Sequence, residues 1–431
     1  MDYLKQTAKK ILQWQAKRVL QKYNPKIVGI IGAVGKTVTK ETIYTVLSKK
    51  VFVRKSEKSF TTEVGVPLTI LGHAYGTNTL LEWLQCIFSG LNLILFKKTY
   101  PEWLVLELDS DKPGDLEGVS SWVKPDILVV TAIGTVPSHI ESFGDIENFV
   151  REKSFMVDAV KREGVIIYNS DDVLVENLVK DSEVRKVSCG TNPLANIKGG
   201  ELEMLLGGKD SSVLTGMKFN IIYRKKEYSV SRLECVGIHI EYASLLAFAV
   251  GHEFHFSSKD IVTSLNKVKP LQGRSRIIQG IKNSVLVDDT YNASPLATRE
   301  FVGLLGKINT NTRKVLILGD MLELGKYSAV EHRSLAVLVK QNANFVVTVG
   351  FRMRKLVDEL LNEGFDESLI ISFDSVEEAN KTMDSLIQEG DVVLVKGSQA
   401  MRMEKLVEEV MRHPEDAKKV LVRQEEEWMS R

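Results

Sequence analysis

Apolar residues along this chain fall into two alternating patterns, and the alternation organises the sequence. Short β-branched runs recur at Lys26-Ile27-Val28-Gly29-Ile30-Ile31, Trp103 to Leu108, Ile127 to Thr131 and Val165 to Tyr168. Their continuous hydrophobicity is that of strands buried on both faces. Segments with helical spacing separate them, the first predicted from Lys36 to Ser48. Strand–helix alternation of this kind predicts an α/β fold with a mostly parallel sheet. Between about residues 185 and 235, pieces such as Phe219 to Tyr223 and Glu227 to Val230 alternate with turns, which predicts an antiparallel accessory sheet. A helix is expected from Ile240 to Gly251. A second series starts near Arg274, with strands predicted at Val285–Val287, Val315–Leu318, Phe345–Thr348 and Val392–Val395. We therefore expect a helix in residues 1–26, a central domain over 27–272 and a Rossmann-like α/β domain over 273–431. From Pro414 the tail is charged and reads as helical or frayed.

Two segments stand apart from this rhythm. Residues 2–23 have one broad apolar face (Leu4, Ala8, Ile11, Leu12, Val19, Leu20) and carry Lys5, Lys9, Lys10, Lys17, Arg18 and Lys22 against a single acid, Asp2. Residues 80–96 are strongly apolar and are followed by Lys97 and Lys98. That run is shorter than the ~20 residues a spanning helix needs, and Glu82, Gln85 and Asn92 interrupt it. Two helices packed on the domain are the plain expectation; a pair of interfacial elements touching anionic lipid over 2–23 and 80–98 is the sharper one.

Composition narrows the function classes. With 57 basic and 56 acidic residues in 431, there is no global field to recruit nucleic acid. Cys86, Cys189 and Cys235 fit neither a disulfide framework nor metal-ligand spacing, and no secretion signal is visible, so a cytoplasmic location is expected.

The chemistry begins at Gly32-Ala33-Val34-Gly35-Lys36-Thr37, between the first strand and the first long helix. A glycine-bounded turn lets backbone N–H groups close on phosphate oxygens and points a helix N-terminus at negative charge. Lys36 supplies a cation for the terminal phosphates and the Thr37 hydroxyl a Mg²⁺ ligand, so ATP is the expected cofactor. The glycines are closer together than in the common P-loop pattern, and Gly29 extends the spacing.

The run Gly29 to Glu41 resembles the ATP loop of the Mur ligases. Further segments follow in that family's order: Glu63-Val-Gly65-Val-Pro67-Leu-Thr69, Glu107 with Lys112-Pro113-Gly114-Asp115, His139-Ile-Glu141-Ser-Phe143-Gly144, and Gly273-Arg274. Asp288-Asp289-Thr-Tyr291-Asn292-Ala293, Gly319-Asp320-Met321-Leu-Glu323-Leu324-Gly325 and Lys396-Gly397-Ser398 complete the series. Within the family the chain is most similar to the members that add D-alanyl-D-alanine to a UDP-muramoyl tripeptide.

The resemblance implies an ATP-dependent ligase of cell-wall peptide synthesis. It would convert a carboxylate into an acyl phosphate, join it to an amine and release ADP and phosphate. It further implies two Mg²⁺ sites. Lys36 and Thr37 belong at the transferred phosphate and Glu107 is a metal ligand. His139 binds a second Mg²⁺, and Lys153, fourteen residues later, is carbamylated to an anion that ligates or positions it. Arg274 reaches the ATP phosphates, and Asp289, Tyr291 and Asn292 belong to the nucleotide site, with Asn292 beside adenine. Thr61, Thr62, Lys396 and Ser398 fall to substrate. His332 occupies a family position, but a surface helix histidine is nearly as good a reading.

The sequence departs from the family at its front, where only residues 1–26 precede the central domain and no UDP-binding domain is expected. Thr61 and Thr62 replace asparagines, Val38 a threonine, and Gln399 an arginine. Two alternatives therefore stand beside the leading one: the same chemistry on a non-UDP acceptor (polyglutamate, cofactor or lipid-linked), or a non-catalytic ATP-binding partner subunit.

Overall fold

The computed structural model describes residues 2–57, 64–73, 79–207, 213–308, 312–425 and 428. One sheet contains β1 (Lys26–Ile31), β2 (Val53–Lys55), β3 (Trp103–Glu107), β4 (Ile127–Val130), β5 (Val165–Asn169), β6 (Arg185–Gly190), β7 (Ile197–Gly207), β8 (Val213–Tyr223) and β9 (Lys226–Leu233). Its order is β2-β3-β1-β4-β5-β6-β7-β8-β9. The strands from β2 to β7 pair in parallel, whereas β7, β8 and β9 pair antiparallel. The antiparallel region expected as an accessory sheet is thus continuous with the parallel one, because the end of β6 pairs with the start of β7 at Cys189–Ile197.

The second sheet contains β10 (Arg276–Gln279), β11 (Val285–Asp289), β12 (Lys314–Gly319), β13 (Phe345–Val349), β14 (Ile370–Phe373) and β15 (Val392–Lys396), in the order β10-β11-β15-β12-β13-β14. Only β10 runs antiparallel, on the edge beside β11. The strands read from sequence are the buried ones, with all five residues of β11, β13 and β15 buried. The edge strands β2, β10 and β14 carry polar or half-exposed residues and lack that signal. After Pro414 the tail docks instead of fraying: Leu421 and Val422 are buried, and Arg423 pairs with Glu404.

A buried helix, Ile238–Glu253, packs on the helix Lys36–Leu47 that follows the glycine loop. It carries Glu241 into the interior, where burial pushes the carboxyl up to about 7 from the ordinary 4.5 and Oε1 meets no hydrogen-bond donor among the described residues. Between those values the folded chain holds a proton that the unfolded chain has lost, so stability falls as pH rises through about 7. Glu241→Gln removes this dependence. In urea unfolding, the variant is expected to gain about 3 kcal/mol on the parent at pH ~8 and to match it at pH ~4.

Candidate active site

Both sheets aim the C-terminal ends of their parallel strands at one cleft, where ligands of open α/β sheets collect. The cleft encloses about 600 Å³ and is lined by the glycine loop, Glu107, Asp109, His139, His239, Arg274, Asp289, Tyr291, Asn292, Glu300, Glu323, Lys396 and Gln399. That volume suits a nucleotide-sized ligand.

The loop leaves β1 through Gly32 (φ 138°) and enters the helix through Gly35 (φ 87°). A Cβ on Gly32 would lie 2.1 Å from Thr131 Oγ1, so glycine is required there by both backbone angle and space. Ala33 and Val34 donate to Ala132 O at 2.7 and 3.0 Å, which pins the loop to the end of β4. Lys36 folds back over it: Nζ donates to Gly32 O (2.9 Å) and Ala33 O (3.2 Å) and pairs with Asp109 Oδ2 at 2.7 Å.

Glu107 stands opposite Ile30 in the β1–β3 register, which places its carboxylate under the loop. Thr37 Oγ1 donates to Glu107 Oε1 at 2.9 Å, and Lys40 Nζ lies 3.3 Å from Oε2. Glu107 is buried, and Oε2 accepts no hydrogen bond among the described residues. A hydroxyl and an under-satisfied carboxylate are hard oxygen donors of the kind that hold Mg²⁺, an ion that takes few protein ligands and completes its shell with water and phosphate. Among the described residues no cluster of three or more His, Cys, Asp or Glu side chains makes a closed metal cage. The donor set therefore fits a cation that arrives with the nucleotide.

Lys153 and His139 are placed apart in their partnerships. Lys153 lies behind the cleft wall, fully buried; its Nζ is 2.7 Å from Asp109 Oδ1 and 3.0 Å from Ser110 Oγ. Burial lowers the Lys153 ammonium and Asp109 opposes that effect. Burial would raise the Asp109 carboxyl, but the Lys153 and Lys36 ammonium groups hold it well below the usual carboxylate range. His139, in a left-handed backbone conformation (φ 64°), turns Nδ1 to Glu323 Oε2 at 2.7 Å. Glu323 belongs to the loop after β12, so this contact joins the two halves across the cleft.

From the second half, Arg274 Nη2 reaches Thr37 Oγ1 at 3.4 Å while its guanidinium lies 3.8 Å from the Tyr291 ring centroid. Asp289 and Lys396 are register partners on β11 and β15 and form an ion pair. Lys396 also donates to Asn292 O (2.9 Å), and Asn292 Oδ1 accepts from Gln399 N (3.3 Å). Two residues are tied to the loop after β12. Ser398 Oγ accepts from Leu322 N at 2.8 Å, fixing the loop after β12. His332 is fully buried rather than on the surface, accepting from Met321 N through Nε2 and facing Ser328 O through Nδ1. Thr61 and Thr62 lie outside the described residues.

Sequence reasoning passed over three groups here. Asp109 sat in a polar run after Glu107. His239 follows Gly237 at the start of a helix; burial, with Asp289 opposing, takes its imidazole down to about 4, so it is neutral at pH 7. Glu300 lines the cleft with its carboxyl pushed up to about 7 by burial.

Residues 30–251 match the Mur ligase middle domain, and residues 273–399 match the Mur ligase glutamate ligase domain. The chain belongs to the Mur ligase family. It is an ATP-dependent ligase that forms C–N bonds. A UDP-N-acetylmuramoyl-tripeptide–D-alanyl-D-alanine ligase of Bacillus subtilis is 26% identical over 404 residues, covering 94% of this chain and 79% of that protein. Its counterpart in Mycobacterium leprae is 26% identical over 395 residues, covering 87% and 71%. Among solved structures, MurF from Acinetobacter baumannii superposes with a TM-score of 0.74 at 24% identity, covering 92% of this chain and 79% of that one. MurF ligase from Thermotoga maritima in complex with ADP gives 0.75 at 22% identity, covering 93% and 83%. These likenesses agree with the mixed α/β architecture of two large, mostly parallel sheets.

Proposed function

We propose that this Mur ligase joins the carboxylate of a muramoyl tripeptide to the amine of a D-Ala-D-Ala-like dipeptide, in the cytoplasm, as a step of cell-wall peptide synthesis. The observation that carries the reading is the meeting of Lys36, Thr37 and Glu107 with Arg274, Asp289 and Lys396 in one cleft. The relatives named above supply the substrate pair.

The substrate carboxylate oxygen attacks the γ-phosphorus of ATP and ADP departs, leaving an acyl phosphate. The amine then attacks the acyl carbon, loses a proton, and inorganic phosphate leaves. Barrier reduction in such a reaction comes from positioning and from fixed positive charge. Lys36 and Arg274 flank the place of the γ-phosphate, one from each half, so the site is complete only when both halves meet. Thr37 and Glu107 would hold Mg²⁺, which neutralises phosphate charge when bound. Lys396, fixed by Asp289 and Asn292 O, presents a cation on the opposite wall for the acceptor.

Lys153 admits two readings. The carbamate implied by family resemblance suits a buried lysine. The Asp109 ion pair favours the other: Lys153 stays an ammonium, and the Asp109 carboxylate supplies the anion.

A substrate panel that records both phosphate release and product mass tests the proposal. UDP-muramoyl tripeptide with D-Ala-D-Ala is expected to give amine-dependent phosphate and the ligated mass. Product from another acid–amine pair, with none from this one, would replace the assigned substrates but keep the ligase. Absence of any amine-dependent phosphate would leave an ATP-binding partner subunit.

A further inference from the structure

The helix Asp2–Tyr23 and the apolar helix Leu80–Leu95 lie side by side and parallel. Gln15 Nε2 donates to Ile87 O at 2.8 Å. Seven residues further along each helix, Lys22 Nζ donates to Leu93 O (2.9 Å), Ile94 O (2.8 Å) and Phe96 O (2.7 Å). Lys22 thus satisfies the free carbonyls at the second helix's end, where a cation is favoured. Trp83, Cys86 and Gly90 face inward, and Thr79 and Glu82 close a capping box at the start. The helix is well specified at both ends.

Its outer face is the unusual part. Leu81, Leu84, Phe88 and Leu95 recur at helical spacing and are 65%, 43%, 69% and 71% exposed, and Phe96 adds 60%. Scattered apolar residues on a surface need no explanation; four large ones on one helical face, broken only by exposed Asn92 between Phe88 and Leu95, do. Positive charge borders it. Lys97 and Lys98 follow the stripe and are exposed, as are Lys10 and Arg18 on the neighbouring helix, where Arg18 lies 5.9 Å from the ring centroid of exposed Trp14. The whole chain carries a net charge of only +1, so this basic border is a local concentration.

We propose that these two helices form a docking face for an anionic phospholipid surface. An apolar stripe bordered by lysine, arginine and tryptophan has the chemistry of an interfacial helix lying at the boundary between headgroups and acyl chains. Among the described residues no helix is long and apolar enough to cross a membrane, and the contact proposed is a peripheral one. A second copy of the chain is a poorer occupant, because a two-fold contact would set each basic border against its own image. The proposal stands independently of the substrate assigned above.

Vesicle flotation of the full chain tests it, with phosphatidylcholine alone or mixed with phosphatidylglycerol. The wild type is expected to float with the anionic vesicles at least about fivefold more than with the neutral ones, and to be released in ~0.5 M salt as screening shortens the electrostatic reach. Leu84→Glu/Phe88→Glu should return flotation to background while amine-dependent phosphate release persists. Lys97→Glu/Lys98→Glu should abolish the preference for anionic lipid. Three results would overturn the proposal: no flotation of the wild type, equal flotation of the stripe variant, or light scattering that shows a dimer dissolved by the stripe substitutions.

Discussion

Lys36→Ala is expected to lower amine-dependent phosphate release by roughly a thousandfold, with the fold intact. The size follows from the removal of a preorganised cation at a site where charge is transferred, an effect of about 10²–10³ for a single such group. The fold should survive because Lys36 makes no core contact that others cannot replace. Its partners are two loop carbonyls and Asp109, and Asp109 keeps Lys153. Lys36→Arg should be nearly as damaging, since a planar fork on a longer stem does not fit between Gly32 O and Asp109. Steady-state rates with circular dichroism and nucleotide affinity measured alongside decide the matter. A variant within tenfold of wild type would remove Lys36 from the chemistry, and with it the reading of the loop.

That loop was legible because its chemistry is local. Two glycines with left-handed or otherwise unusual angles, a lysine and a threonine lie within six residues, and a strand and a helix flank them. Glu107 was legible for a related reason: a carboxylate closing a buried strand needs a partner or a cation. The partnerships across the cleft were not. His139 and Lys153 share a helical neighbourhood in sequence, yet one turns to Glu323 from the other half and the other to Asp109 behind the loop. Nothing in residue spacing encodes which half a side chain will face after the two sheets close on each other. His239 was obscured in the same way. It sits at the head of a helix whose burial is all-round, so periodicity marks it as core, and only the tertiary arrangement shows the cleft beside it.

The apolar segment 80–96 shows the limit from the other side. Its hydrophobicity and its helix were plain in the sequence, but hydrophobicity alone could not say which face would be covered. The decision comes from Gln15 and Lys22, seventy-odd residues earlier, which bind one side of the helix and leave the other in solvent.

Asp109→Asn is expected to destabilise the chain by about 3 kcal/mol, the order seen when one partner of a buried ion pair is removed. One carboxylate holds two ammonium groups here, Lys36 on Oδ2 and Lys153 on Oδ1, each at 2.7 Å. Lys36 can turn to solvent in the cleft, but Lys153 is fully buried on the helix Ile146–Asp158 and would keep only neutral acceptors, the new amide oxygen and Ser110 Oγ, with the carboxylate charge that balances it gone. Lys153→Met, which fills similar volume without charge, should cost less, because Asp109 retains Lys36. The double variant should then be more stable than Asp109→Asn alone, and this non-additive recovery identifies the pair. The sign of the first effect also separates the two readings of Lys153. A carbamate on Lys153 would set an anion against the Asp109 carboxylate, so Asp109→Asn would relieve repulsion and stabilise the fold. Wild-type protein incubated with ¹³C-bicarbonate would then show a carbamate resonance, and short-chain carboxylic acids would rescue Lys153→Ala. With Lys153 as an ammonium, Asp109→Asn destabilises, no such resonance appears, and added carboxylates restore nothing. In that case the anion behind the phosphate loop is encoded in the chain at Asp109 rather than built on Lys153 from dissolved carbon dioxide.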